Sequence, residues 1–280
     1  MNGTPLTPTQ LSASVFLQGQ PRAGITHVVF DFDGTLSWIR HGWPALMFET
    51  FRQHWPDSAE TAQPQWHAAM EEIVFGMNGK PSLIQMQHYA QRALLRGGVE
   101  LDPESLRASF QAALDREIDI RTEAIRTGLK QRDDFVIAGV RPLLEHLRSR
   151  GLTLAVLSSS VEHRVKEEAE VLGLTEFFGR HIYGSTPNPA GFSKMEVFRQ
   201  ILASEGITGA HLLSFGDGPV EIECTKQLGG LAVAVCSDED ENGSGVPHPY
   251  KLQQLIAVGA DAAIPDYQEA IPLIDRIVLP

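Results

Sequence analysis

Apolar positions along this chain follow two patterns. Val28–Phe30, Leu152–Leu157, His211–Phe215, Leu231–Val235 and Ala262–Ile264 are short apolar runs rich in β-formers, and each predicts an interior strand. His181–Tyr183 is a shorter strand candidate. Elsewhere apolar residues recur at helical spacing: Leu143, Leu144 and Leu147; Val161, Val165, Ala169 and Leu172; Met195, Phe198, Ile201 and Leu202 within Lys194–Glu205. Ile222–Leu228, Tyr250–Val258 and Tyr267–Ile274 are also expected to be helical. Strands alternating with helices at this spacing predict a mostly parallel sheet covered on both faces.

The pattern changes between Ser37 and Ile137, where no strand run occurs. Four helical patterns fill that stretch: His41–His54, Gln65–Phe75, Leu83–Leu95 and Pro103–Gly128. Trp66, Met70, Ile73 and Val74 share one helical face, and Leu83, Met86, Ala90, Ala93 and Leu94 share another. Asp102–Pro103 is a capped helix start and Gly97–Gly98 a helix stop. The expected organisation is a polar arm over 1–24 and a Rossmann-like three-layer α/β core over 25–36 and 138–280. An inserted all-helical cap domain is expected over 37–137.

Ligands of such sheets bind at the carboxyl ends of the strands. Polar residues follow three of the runs there: Asp31 and Asp33 after Phe30, Ser158–Ser160 after Leu157, and Gly216–Asp217 after Phe215. Two positions apart in extended chain, Asp31 and Asp33 point to one side while Phe32 packs on the other. Carboxylates that close repel, so they recruit a cation or one pKa shifts. Glu221 lies one helical turn beyond Asp217 and can face the same pocket.

ITHVVFDFDGTL (25–36) resembles the first motif of the haloacid-dehalogenase-like superfamily, whose members are mostly phosphatases. Ser158 after its strand matches the second motif, Lys194 at a helix start the third, and Gly216–Asp217 with a downstream acid the fourth. The helical stretch between the first two motifs resembles a cap of the C1 type. The resemblance implies Mg²⁺-dependent hydrolysis of a small-molecule phosphate monoester. Asp31 would attack phosphorus, forming an aspartyl phosphate. Asp33 would protonate the leaving oxygen and then deprotonate the hydrolytic water. Ser158, Ser159, Lys194 and Gly34 would bind the phosphoryl group. Asp31, the backbone carbonyl of Asp33 and Asp217 would seat the metal, with Glu221 in a second layer or acting through water.

The family usually has aspartate where this chain has Glu221, and the extra methylene changes its reach; Glu223 sits two positions further round the helix. Dehalogenases lack the acid at the position of Asp33, so its presence points to phosphoryl transfer. Phosphonate-cleaving relatives use a cap lysine, and residues 37–137 offer Lys80 and Lys130. Lys80 beside Pro81 reads as a turn residue or as a substrate-anion contact. Two alternatives stay open: a phosphomutase acting on a sugar phosphate, and a non-catalytic phosphoryl-ligand binding or structural protein on the same fold.

Trp38, Arg40 and His41 follow the first motif and Asn78 and Lys80 lie in a turn of the insertion. They read either as packing and loop residues or as substrate-specificity residues for a sugar or polyol phosphate. Asp238–Glu241 reads as a solvated acidic loop. His248 lacks partners at metal-ligand spacing, and Cys224 and Cys236 read as core residues.

Composition narrows the setting. The 280 residues are 42 % hydrophobic and 21 % charged, an ordinary globular balance. A formal charge of −12 disfavours nucleic-acid partners. No apolar run long enough to span a membrane occurs, and the N-terminus does not read as a signal peptide. Two cysteines make no disulfide framework, so a reduced cytoplasmic protein is expected, as monomer or homodimer.

Overall fold

The structure, a computed structural model, describes residues 9–10, 16–17, 19–77, 80–186 and 192–279. Strands β1 (Thr9–Gln10), β2 (Phe16–Leu17) and β3 (Arg22–Ala23) precede β4 (His27–Phe30). Helices α1 (Trp43–His54), α2 (Pro64–Val74), α3 (Ser82–Leu95) and α4 (Pro103–Arg126) follow. Then come α5 (Val140–Ser149), β5 (Thr153–Val161), α6 (Glu162–Val171), α7 (Thr175–Phe178), β6 (Ile182–Ser185) and α8 (Lys194–Ser204). The chain ends with β7 (Leu212–Gly216), α9 (Pro219–Leu228), β8 (Leu231–Val235), α10 (Pro249–Ala257), β9 (Ala262–Ile264), α11 (Ala270–Ile277) and β10 (Val278–Leu279).

One sheet of order β1-β2-β9-β8-β7-β4-β5-β6 carries the fold. Its pairs are parallel from β9 to β6, and antiparallel where β1 and β2 extend the edge beyond β9. β4 lies between β7 and β5, with Phe30 opposite Phe215 and Val156. Alternation along β4 assigns the two faces. Val28 and Phe30 join Leu143, Leu147, Val165 and Ile274 on one side, while Val29 meets Phe198 and Cys224 on the other. Phe30 and Phe215 stack with centroids 4.8 Å apart and planes 5° from parallel. Burying a side chain of that size stabilises by roughly 1.5–3 kcal/mol.

Three details depart from the sequence expectation. β5 runs on to Val161 through the serines instead of ending at Leu157. The expected surface arm supplies β1 and β2 to the sheet edge, and β3 pairs with β10. These are two-residue strands, too short to show an alternating pattern. The helix expected from Tyr267 begins at Ala270.

Helices α1–α4 enclose a second core of their own, with Met47, Phe51, Trp66, Met70, Met86, Tyr89 and Phe110 buried together. Phe51 and Tyr89 stack at 4.1 Å. Asp102 caps α4, accepting from Glu104 N and Ser105 N. The chain leaves and re-enters the sheet domain side by side: Trp38 N donates to Phe135 O at 2.8 Å and Ile137 N to Leu36 O at 3.0 Å. Cys224 and Cys236 are buried free thiols. Among the described residues, no helix is long and apolar enough to cross a membrane.

Candidate active site

Each strand-end group reaches one edge of the sheet for a local reason. Asp31 follows β4, its N–H still donating to Phe215 O of β7 at 2.9 Å. Gly34 then turns the chain at φ +70°, a left-handed conformation that disfavours any side chain. It also makes room for a neighbour, because a Cβ there would overlap Asp217 Oδ2. Gly216 ends β7 and leaves space for Glu221, whose Cβ a side chain would meet at 2.7 Å. Glu221 sits in the first turn of α9. Lys194, first residue of α8, spans the gap: Nζ donates to Asp31 Oδ1 at 2.9 Å and to Glu221 Oε1. Ser158 is buried on β5 where its ladder with β6 shifts register between Leu157 and Val161.

Burial sets the electrostatics. It pushes the Asp31 carboxyl well above the usual carboxylate range, against the pull of Lys194, and the nearby charges of Glu221 and Asp217 push the same way. Burial would strip the proton from Lys194, but Asp31 and Glu221 hold its pKa above the ordinary lysine value. Burial also lifts Asp217 to about 6, with Lys251 opposing.

Asp33 is held apart from this cluster. Its Oδ2 accepts the Ser160 hydroxyl at 2.9 Å, and its Oδ1 forms an ion pair with Arg40 Nε at 2.8 Å. Arg40 also grips Glu168 of α6 with two donors, at 3.2 and 2.5 Å. Arg40, a candidate specificity residue, thus pairs with two carboxylates.

Three residues with no place in the site by sequence lie against it: Lys251, Glu239 and Ser237. Lys251 of α10, 3 % exposed, lies 3.3 Å from Asp217 Oδ2 and 2.6 Å from Glu239 Oε1. It also donates to Ser237 Oγ at 3.0 Å, and Ser237 donates to Gly34 O at 2.8 Å. The acidic run is therefore not wholly solvated: Glu239 turns inward onto a buried cation. The available signal was helical phase, because Lys251 and the buried Leu255 share a face of α10.

A cavity of about 760 Å³ connects these groups with the helical insertion. Asp31, Asp33, Gly34, Ser158, Ser159, Lys194 and Asp217 line its floor. Trp38, Arg40, His41 and Lys80 line it from the linker and the insertion. Trp38 stacks on His41 at 3.9 Å and donates from Nε1 to Asp238 O, so both packing and cavity contact hold for this pair. Glu221 lies behind Lys194, and Asn78 falls outside the described residues.

The donor set fits an oxygen-seeking divalent cation. Asp31, Asp217, Glu221 and Glu239 face two lysines, Lys194 and Lys251, which leaves formal negative charge uncompensated. Glu221 Oε2 is buried without a hydrogen-bond partner among the described residues. No cluster of three or more His, Cys, Asp or Glu side chains at ligating distance occurs among the described residues.

A parallel sheet presenting buried acids and a lysine at its carboxyl edge, beneath a helical insertion, defines a hydrolase-type site. The family model of the haloacid dehalogenase-like hydrolases matches residues 25–229, and the chain belongs to that family. It is 26 % identical over 208 residues to a phosphoglycolate phosphatase of Synechococcus elongatus, covering 74 % of this chain and 82 % of the relative. A 5'-nucleotidase of Pseudomonas aeruginosa is 27 % identical over 191 residues, covering 68 % and 73 %. The fold matches a haloacid dehalogenase-like protein of Agrobacterium tumefaciens with a TM-score of 0.60 at 21 % identity, over 90 % of this chain and 98 % of the other.

Proposed function

We propose that this protein is a Mg²⁺-dependent phosphatase acting on a small phosphate monoester through an aspartyl phosphate on Asp31. The observation that carries this reading is Asp31 just after β4, buried and bonded at 2.9 Å to Lys194, with Asp217 just after β7 and Ser158 buried within β5 on either side.

Asp31 Oδ attacks phosphorus, and the bond from phosphorus to the ester oxygen breaks. Asp33, protonated, delivers its proton to that departing oxygen, and as carboxylate takes a proton from the water that cleaves the acyl phosphate. Lys194 holds the Asp31 carboxylate and, with the Ser158 hydroxyl, offsets charge on the phosphoryl oxygens. Asp31, Asp217 and the Asp33 carbonyl are the groups that would hold Mg²⁺, with Glu221 behind them. The bound cation would offset phosphoryl charge.

Residues 37–137 act as a cap, a role supported by their separate core and by their share of the cavity walls. A cavity of about 760 Å³ suits a small phosphorylated metabolite, and the aromatic junction of Trp38, His41 and Trp43 suits a sugar or polyol phosphate. A reduced, cytoplasmic setting agrees with two buried free thiols.

Phosphate release from a panel of phosphate esters, with Mg²⁺, tests the reading. Asp31→Asn is expected to lose about 10³-fold or more in kcat. An Asp31→Asn protein with wild-type turnover sinks the mechanism.

A further inference from the structure

Arg40 is joined to three parts of the molecule at once. Its side chain pairs with Asp33 and with Glu168, whose carboxylate is 6 % exposed. Its backbone neighbours are held by α4: Arg121 donates from Nη1 to Ile39 O at 2.6 Å and to His41 O at 2.9 Å. The two oxygens of Asp33 are not equivalent. Oδ2 takes the Ser160 hydroxyl, while Oδ1 has a Coulombic contact with Arg40 but no aligned hydrogen bond. The pair with Arg40 therefore fixes where the Asp33 side chain sits in the cavity wall.

We propose that Arg40 is a positioning residue for Asp33, fixed by Glu168 and linked through Arg121 to the helical insertion, so that the seating of the insertion sets the aim of the acid. This rests on the phosphatase reading above. In the step it serves, a proton moves from the Asp33 carboxyl to the ester oxygen as the bond from that oxygen to phosphorus breaks. Arg40 Nε and Nη2 already face carboxylates, which weighs against a substrate-anion role.

Leaving groups separate these roles. An alkoxide needs a proton to depart, whereas p-nitrophenolate does not. The experiment measures kcat/KM for an alkyl phosphate substrate found in the panel and for p-nitrophenyl phosphate, with wild type, Asp33→Asn, Arg40→Ala, Arg40→Lys and Glu168→Gln. Thermal melting and beryllofluoride binding with Mg²⁺ identify the variants that fold. Arg40→Ala and Glu168→Gln are expected to lose about 10²-fold on the alkyl ester and less than about tenfold on the aryl ester, moving in the direction of Asp33→Asn. KM should stay within about threefold. Arg40→Lys should recover part of the loss, since lysine keeps the charge without the two-pronged geometry.

Equal losses on both esters in a folded variant overturn the assignment. A raised KM at unchanged kcat does the same and makes Arg40 a substrate contact. Wild-type protein that releases phosphate from neither ester overturns the phosphatase reading, and this inference with it. An active wild type with an unmoved ratio overturns the role of Arg40 alone.

Discussion

Lys251 Nζ lies 3.3 Å from Asp217 Oδ2, on the acid proposed above as a metal ligand. Glu239 meets the same ammonium at 2.6 Å, so this cation neutralises two carboxylates that burial would otherwise leave exposed to each other. Replacing it with a neutral side chain of similar length strands both acids.

Lys251→Met is therefore expected to cost about 3 kcal/mol without metal, in line with breaking a buried ion pair. A divalent cation would restore part of that loss, since it binds the acids only in the folded state. The rise in Tm on adding Mg²⁺ should be larger in Lys251→Met than in wild type. Equal rises would show that the lysine and the cation do not share Asp217.

Gly34→Ala tests the close approach beneath the first motif. The residue sits at φ +70°, where alanine is strained by about 1–2 kcal/mol. Its methyl group would displace the Asp217 carboxylate. The expected result is a Tm lower by a few degrees with phosphatase activity down about 10²-fold or more. A full loss of stability with no selective loss of activity would point to backbone strain alone.

His248 gives a pH dependence with a definite sign. Burial, aided by the charge of Lys251, holds its pKa below the ordinary 6.5. Its neutral ring accepts from Lys251 N and caps α10, and it packs against Phe75 of the insertion at 4.9 Å. The unfolded chain binds this proton near 6.5 and the folded chain only at lower pH. Its contribution is complete above 6.5 and falls away as the pH drops through the lowered folded value. Asparagine keeps a capping acceptor and does not titrate. Between about pH 7.5 and about pH 5.5, His248→Asn should lose less Tm than wild type. Identical losses would exclude the histidine as the source.

The parallel core and the Asp31–Lys194–Asp217 cluster were legible because each rests on local pattern. A buried run followed by polar residues marks a strand end whatever lies far away, and Lys194 is marked by the helix it starts. Lys251 and Glu239 were hidden by their surroundings in sequence. A lysine in a helix and a run of four acids both look solvated, and only the fold brings them together. The position of Arg40 beside the first motif was visible in sequence, but Glu168, and Arg121 on the carbonyls of Ile39 and His41, reach this turn only across the tertiary structure. The two-residue strands at the sheet edge were illegible for lack of length. Their pairing is set by neighbours rather than by their own residues.

The paired crossings at Leu36–Ile137 and Trp38–Phe135 have a thermodynamic consequence. To the sheet domain, everything between them is one closed loop. Closure entropy grows with the logarithm of length, so a loop of about a hundred residues costs roughly 2 kcal/mol more than one of about ten. A compact insert with its own apolar centre offsets even that. The core can thus exchange this excursion for a longer, shorter or differently folded one with little change to its own stability.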